Sequence, residues 1–175
     1  MPRVGIALGS NLGDRRANLR AASRCLHELA VPGSVFLQAS IYQTEPLLCP
    51  PGSPYFYNSA VEISYDGTAS ELLEATQSIE KKLGRLASAE CNAPRVVDID
   101  LLYFGDEVLD KDNLILPHPR IGERRFVLQP LAEIRPDLVL PGERRSIAEM
   151  LLELDASEQL LLPSDRLDGE PGSQI

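Results

Sequence analysis

Two strand-like segments, Val35 to Tyr42 and Asn58 to Tyr65, follow each other with only a loop between them. This restricts the fold more than any other feature, because a doubly wound parallel sheet needs a helical crossover between successive strands. Val4, Ile6 and Leu8 alternate with Gly5 and Ala7 and predict a short opening strand. Gly9-Ser10-Asn11-Leu12-Gly13-Asp14 reads as a turn with Asp14 as a helix N-cap. Leu19, Ala22, Leu26 and Leu29 then recur at helical spacing until Pro32-Gly33. Leu47 to Pro54 is a loop rich in breakers. Thr68 with Glu71 forms a capping box ahead of Leu72, Thr76, Ile79 and Leu83, and Gly84 stands where that helix would end. Val96 to Phe104 is a fourth strand, bounded by Gly105-Asp106.

The order strand, helix, strand, strand, helix, strand predicts an α+β, ferredoxin-like βαββαβ sandwich. A small C-terminal extension follows. It comprises a hairpin within Glu107 to Leu116, an extended Pro117-His118-Pro119, and short helices over Arg124 to Ile134 and Ser146 to Leu154, the first expected to be capped, kinked or interrupted at Pro130. Residues 1–155 are expected to form one domain and 156–175 a disordered tail. A Rossmann sheet is the weaker reading, since Gly5, Gly9 and Gly13 do not spell G-x-G-x-x-G and no Walker A lysine is present.

At 43% hydrophobic and 25% charged over 175 residues, the chain has material for a packed core. It has no run of about 18 apolar residues and no signal-peptide pattern, so no membrane partner and a cytoplasmic location are expected. Cys25, Cys49 and Cys91 are too widely spaced for a zinc knuckle or a disulfide framework. A net charge of −9 argues against general nucleic-acid binding. The cations nonetheless concentrate mid-chain, with Arg85, Arg95, Arg120, Arg124 and Arg125 around the segments that carry chemistry. Their guanidinium forks suit phosphate oxygens; ordinary surface arginines are the alternative.

The strongest local signal is Val96-Val97-Asp98-Ile99-Asp100-Leu101-Leu102-Tyr103-Phe104. On a strand, Asp98 and Asp100 share one face, with Cα atoms about 6.5–7 Å apart. Such a pair can bracket one or two hard divalent ions, which prefer oxygen ligands. The alternative is an edge strand with a solvated polar face. Gln77 and Glu80 share a helix face, which by itself is ordinary helix surface. His118, locked between prolines ahead of Arg120, Arg124 and Arg125, could donate to a phosphate. Thr44-Glu45-Pro46-Leu47 with Phe56-Tyr57-Asn58 suits a flat heterocycle, which needs stacking and edge hydrogen bonds, or is simply a connection between strands.

Taken together, Gly9 to Asp14, Tyr42 to Asn58, Gln77-Ser78-Ile79-Glu80, Gly84-Arg85, Pro94-Arg95-Val96-Val97-Asp98-Ile99-Asp100 and Leu116-Pro117-His118-Pro119-Arg120 resemble the hydroxymethyl-dihydropterin pyrophosphokinases of folate biosynthesis. The resemblance covers roughly Val4 to Leu154. It implies a ferredoxin-like fold and transfer of pyrophosphate from ATP to the hydroxymethyl group of a dihydropterin, with release of AMP. By resemblance, Asp98 and Asp100 hold two Mg2+ ions. Gln77, Glu80, Arg85, Arg95, Ile99, His118 and Arg124 meet ATP, and Thr44, Leu47, Phe56, Asn58 and Phe126 meet the dihydropterin alcohol. Arg85 and Arg95 join the aspartates as catalytic groups, and a monomer is expected. Phe56 stands where the family often has tyrosine. Asn92 stands where it usually has tryptophan, and Ala87 where it often has arginine, so weaker loop closure is expected. A non-catalytic pterin- or nucleotide-binding protein on the same fold, an RNA-binding module and a different divalent-dependent phosphotransferase are the rival readings; the intact aspartates argue against the first and the net charge against the second.

Overall fold

A computed structural model describes residues 1–44, 51–52, 54–84, 96–154 and 162–166. The elements run β1 (Arg3–Ser10), α1 (Arg15–Leu29), β2 (Leu37–Gln38), β3 (Ser40–Thr44), β4 (Phe56–Ser64), α2 (Ala69–Lys82), β5 (Asp98–Phe104), β6 (Leu109–Lys111), β7 (Leu114–Leu116), α3 (Arg125–Ile134), α4 (Ile147–Glu153) and β8 (Leu162–Arg166). A 3-10 turn, Ile121–Glu123, leads into α3.

The main sheet has the order β5-β1-β4-β3-β8, with β2 also on β4, and every pairing is antiparallel. Strands β1 and β3 flank β4 and therefore run parallel, joined through α1, which is the split βαβ unit of the ferredoxin-like α+β fold. Local chemistry sets the helix starts. Asp14 Oδ1 accepts the Ala17 N–H at 3.0 Å. Thr68 with Glu71, and Ser146 with Glu149, form complete capping boxes. Gly84 takes φ +100°, the left-handed conformation that closes α2.

The sheet is covered on both faces. Val4, Ile6 and Leu8 of β1 and Val61 and Ile63 of β4 are buried against Leu19, Ala22 and Leu26 of α1 and Leu72 and Ile79 of α2. On the opposite face, Leu102 and Tyr103 pack with Val127, Leu128 and Leu131 of α3 and Ile147 and Met150 of α4. Burying such an aliphatic side chain contributes about 1.5–3 kcal/mol. These rows, more than helix propensity, hold the layers together.

Strand β5 changes phase midway. Leu101 faces Ile6 and Tyr103 faces Gly5, so Leu102 is an extra residue in a bulge. Up to Leu101, odd-numbered residues of β5 point to α1 and α2; beyond it Tyr103 points to α3 and Phe104 to the first core. The Tyr103 ring lies across Gly5 and its hydroxyl donates to Glu62 of β4. Glu62 is fully buried, and its carboxylate also pairs with Arg3 and, at 2.5 Å, with Arg135.

Three features differ from the sequence expectation. The strand expected over 35–42 is two, because the register on β4 shifts by one residue between Gln38 opposite Val61 and Tyr42 opposite Asn58. The shift releases the Ser40 N–H to Glu133 of α3. Second, α3 keeps its expected span but is not interrupted at Pro130, which is buried in the helix. Third, the C-terminal tail is not wholly irregular, since Leu162–Arg166 adds as β8 to the edge of β3. The backbone donors and acceptors of an open edge, invisible to hydrophobic periodicity, account for that strand.

A Cβ on Gly5 would lie 2.1 Å from Tyr103 Cε1, and Tyr103 is only 2% exposed. We expect Gly5→Ala to destabilise the protein by about 1–3 kcal/mol through overpacking. A urea midpoint that falls at unchanged m-value would record it; an unchanged midpoint would show that the ring can move aside freely.

Candidate active site

Residues paired across neighbouring strands share a face, so pairing alone lays out the site. Asp98 of β5, Gly9 of β1, Asn58 of β4 and Tyr42 of β3 form one row across four strands. Asp100, Ala7 and Ala60 form the next. Both rows lie on the α3 side, because the Tyr42 hydroxyl donates to Glu133 of α3 at 2.7 Å. Between the aspartates and Asn58 the floor is glycine and alanine. Gly9 and Ala7 are half-buried, although β1 is an interior strand. A Cβ on Gly9 would sit 3.2 Å from Asn58 Oδ1. The result is a trough of small side chains, about 10 Å across by two strand spacings, partly exposed along β1 and buried at Asn58 and Ala60, with carboxylates on one side and amide and hydroxyl groups on the other.

On the amide side, Asn58 Nδ2 donates to Thr44 Oγ1 at 2.9 Å, and Phe56 stands opposite Thr44 in the ladder. On the carboxylate side, Asp98 is half-buried and Asp100 exposed. They open β5 instead of interrupting an apolar run, which spares them much of the desolvation cost. The alternative of an edge strand is correct as geometry, since β5 is the sheet edge. Two carboxylates there still make an oxygen-rich site suited to a hard cation.

Glu80 corrects the helix-surface reading of Gln77 and Glu80. Gln77 is exposed on α2, but Glu80 is 5% exposed and its Oε1 accepts the Ile99 N–H at 2.8 Å. Its carboxylate holds the backbone link between the two aspartates. The Ile99 side chain belongs to the first core, so only its backbone faces outward at the edge.

His118 stands beside β5, with its N–H donating to the Leu102 carbonyl at 2.7 Å. Its Nδ1 accepts the Arg120 N–H at 3.2 Å, which leaves Nε2–H as the outward donor of the neutral ring. Burial holds the imidazole below its ordinary value, Asp100 pulls it upward, and Arg124 and Arg120 push it down. The Arg124 guanidinium is lowered by burial and by Arg120, and is countered by Asp100, Glu123 and Asp98. It lies 5.6 Å from the centre of the Phe126 ring, itself 38% exposed at the start of α3.

The structure thus gathers Asp98, Asp100, His118 and Arg124 around the carboxylate side, and Thr44, Phe56 and Asn58 on the other. Gln77 stays outside, on the helix layer of the opposite face. Leu47, Arg85 and Arg95, together with Ala87 and Asn92, lie outside the described residues. Sequence reasoning missed Tyr42 and Glu133, which tie β3 to α3, and Gly9, whose missing side chain opens the trough. The glycine in an otherwise alternating strand was the signal for the last.

The family model described as 7,8-dihydro-6-hydroxymethylpterin-pyrophosphokinase matches residues 5–136. A Bacillus subtilis relative named 2-amino-4-hydroxy-6-hydroxymethyldihydropteridine pyrophosphokinase is 47% identical over 129 residues, which is 74% of this chain and 75% of its own length. A Methylorubrum extorquens relative of the same name is 42% identical over 158 residues, covering 90% of this chain and 96% of its own. Among solved structures, wild-type HPPK-DHPS of Plasmodium falciparum aligns with a TM-score of 0.66 at 13% identity, over 87% of this chain and 44% of that longer one. At that identity the likeness concerns the fold. The family match spans both sides of the trough, and the chain belongs to this pyrophosphokinase family.

Because the folded protein holds His118 below the ordinary 6.5, the unfolded chain binds its proton more readily. His118 therefore contributes stability in full above pH 6.5, and that contribution is lost as pH falls toward the folded value. An NMR titration should place its midpoint below 6.5, and Asp100→Asn should lower it further by removing the carboxylate that raises it. A midpoint that rises in the variant would contradict this electrostatic arrangement.

Proposed function

We propose that this chain transfers pyrophosphate from ATP to the hydroxymethyl group of 6-hydroxymethyl-7,8-dihydropterin, releasing AMP, as a step of folate biosynthesis. The observation that carries this reading is the trough itself. One sheet face has Asp98 and Asp100 at one side and the hydrogen-bonded Asn58–Thr44 pair at the other. In the transfer, the hydroxymethyl oxygen attacks the β-phosphorus, and the bond from that phosphorus to the oxygen bridging to the α-phosphate breaks. AMP leaves, and the hydroxyl proton passes to solvent.

The residues fit a magnesium-loaded nucleotide. Among the described residues no three His, Cys, Asp or Glu side chains gather into a closed metal cage. Two carboxylates suit Mg2+, which keeps waters and substrate phosphates as its other ligands. When bound at Asp98 and Asp100, two magnesium ions would neutralise and orient the triphosphate. Arg124 and the Nε2–H of His118 stand beside these carboxylates, suited to phosphate oxygens. Arg85 and Arg95 complete the cationic set in this reading, and the Ile99 backbone at the β5 edge, with Gln77 exposed on α2 behind that edge, serves the part of the nucleotide that reaches round it. Glu80 acts by holding the Ile99 amide. Asn58 and Thr44 read the pterin edge, while Phe56, Phe126 and Leu47 supply its apolar contacts. Positioning of alcohol and phosphorus then contributes much of the rate. The chain acts as a monomer in the cytoplasm.

Incubation with ATP, Mg2+ and the dihydropterin alcohol should yield AMP and the pterin diphosphate. We expect Asp98→Asn and Asp100→Asn each to lower kcat by about 100-fold or more, with the thermal midpoint nearly unchanged. Binding of both substrates without AMP would favour a non-catalytic binding protein. Near-wild-type turnover by either variant would remove the metal assignment.

A further inference from the structure

Glu62 is the least expected residue of the sheet. It lies between Val61 and Ile63 in β4, is 0% exposed, and is met by donors from three other elements. A buried carboxylate is costly unless paired and hydrogen-bonded. Here the partners are Arg3 at the start of β1, the Tyr103 hydroxyl on β5 and Arg135, the C-cap of α3. None of these groups lies in the trough. They form the adjacent row of the same face, Tyr103–Gly5–Glu62 following Asp100–Ala7–Ala60.

The two rows are separated by the bulge, and this is where Glu62 touches the site. Tyr103 faces Glu62 only because Leu102 is an extra residue. If the bulge were lost with Tyr103 still opposite Gly5, Asp100 would fall opposite Leu8 and Asp98 opposite Ser10. Both carboxylates would then turn toward α1 and α2, since a one-residue slip reverses every side chain. The second arm runs to α3. That helix has no side-chain cap at its N-terminus, where Arg124 and Phe126 stand, and is tied at its C-terminal end to β3 through Glu133 and to β4 through Arg135.

We propose that Glu62 is a positioning residue with two arms: through Tyr103 it fixes the register that turns Asp98 and Asp100 into the trough, and through Arg135 it fixes the seat of α3 and hence of Phe126. This rests on the pyrophosphokinase reading of the trough. The two arms make different demands on the ligands. The Tyr103 arm governs cation binding, and the Arg135 arm governs the heterocycle.

Three variants separate them: Tyr103→Phe, which keeps the ring over Gly5, Arg135→Met and Glu62→Gln. Mg2+ is titrated calorimetrically into protein holding a non-hydrolysable ATP analogue, and the dihydropterin alcohol is titrated separately. Tyr103→Phe should weaken Mg2+ binding about five-fold and leave alcohol binding within about two-fold. Arg135→Met should do the reverse, and Glu62→Gln should weaken both. Lower thermal midpoints with both affinities unchanged in Tyr103→Phe and Arg135→Met would overturn the proposal, whether or not Glu62→Gln folds. The register arm is also read without ligand, by hydrogen exchange of the β5 amides. Faster exchange in Tyr103→Phe supports the lock, and unchanged exchange defeats it. Wild-type protein that forms no AMP would instead defeat the pyrophosphokinase reading and leave that exchange result standing.

Discussion

One extra residue in an edge strand decides what the α3 face of the sheet can hold. Leu102 lets β5 present Asp98 and Asp100 and then Tyr103 to the same side, while Ile99, Leu101 and Phe104 fill the other. Strict alternation would force a choice between the carboxylates and the Tyr103 tether. The bulge needs a neighbour with no side chain, and Gly5 is that neighbour. The buried Glu62 then receives the hydroxyl and two guanidinium groups, and it knits β1, β4, β5 and α3 around the irregularity. A bulge held this way is a fixed feature of the strand rather than a point of slippage.

The same economy of side chains shapes the trough. Gly9, Ala7 and Ala60 contribute little packing, so cohesion at this end of the sheet comes from what surrounds it. The Glu133 carboxylate takes the Ser40 N–H, the Ser40 hydroxyl and the Tyr42 hydroxyl, binding α3 to β3. The Tyr42 hydroxyl is pushed well above its usual range by burial and by that carboxylate, so it remains a donor. The Glu80 carboxylate does equivalent service at the other edge. Polar clamps placed at the rim let the centre be built of small side chains, a division of labour that a uniformly apolar face could not provide.

Much of this architecture could be read in the sequence because it is local. The caps at Asp14 and Thr68, the hairpin after β5 and the shared face of Asp98 and Asp100 all follow from spacings of four residues or fewer. The bulge could not be read, because Leu101 and Leu102 are both apolar and alternation looks unbroken on either side. Glu62 was passed over inside an apparent apolar strand. Its partners are 41, 59 and 73 residues away, beyond any periodic window. Glu80 looked like helix surface for the same reason, its acceptor role depending on a strand 19 residues later. The residues proposed to meet the heterocycle were suggested only by resemblance, since Asn58 or Phe126 alone carries no distinguishing pattern.

The place of Glu80 has a consequence for the life of the protein in a crowded solution. The sheet exposes β5 as an edge, and an edge amide is a docking point for any stray strand that comes by. Glu80 covers the Ile99 amide with a carboxylate, and aspartates stand immediately before and after it in the chain. Three acidic groups on so short a stretch make the border inhospitable to a second backbone. A substitution that discharges this edge leaves its backbone groups more open to pairing with a second strand.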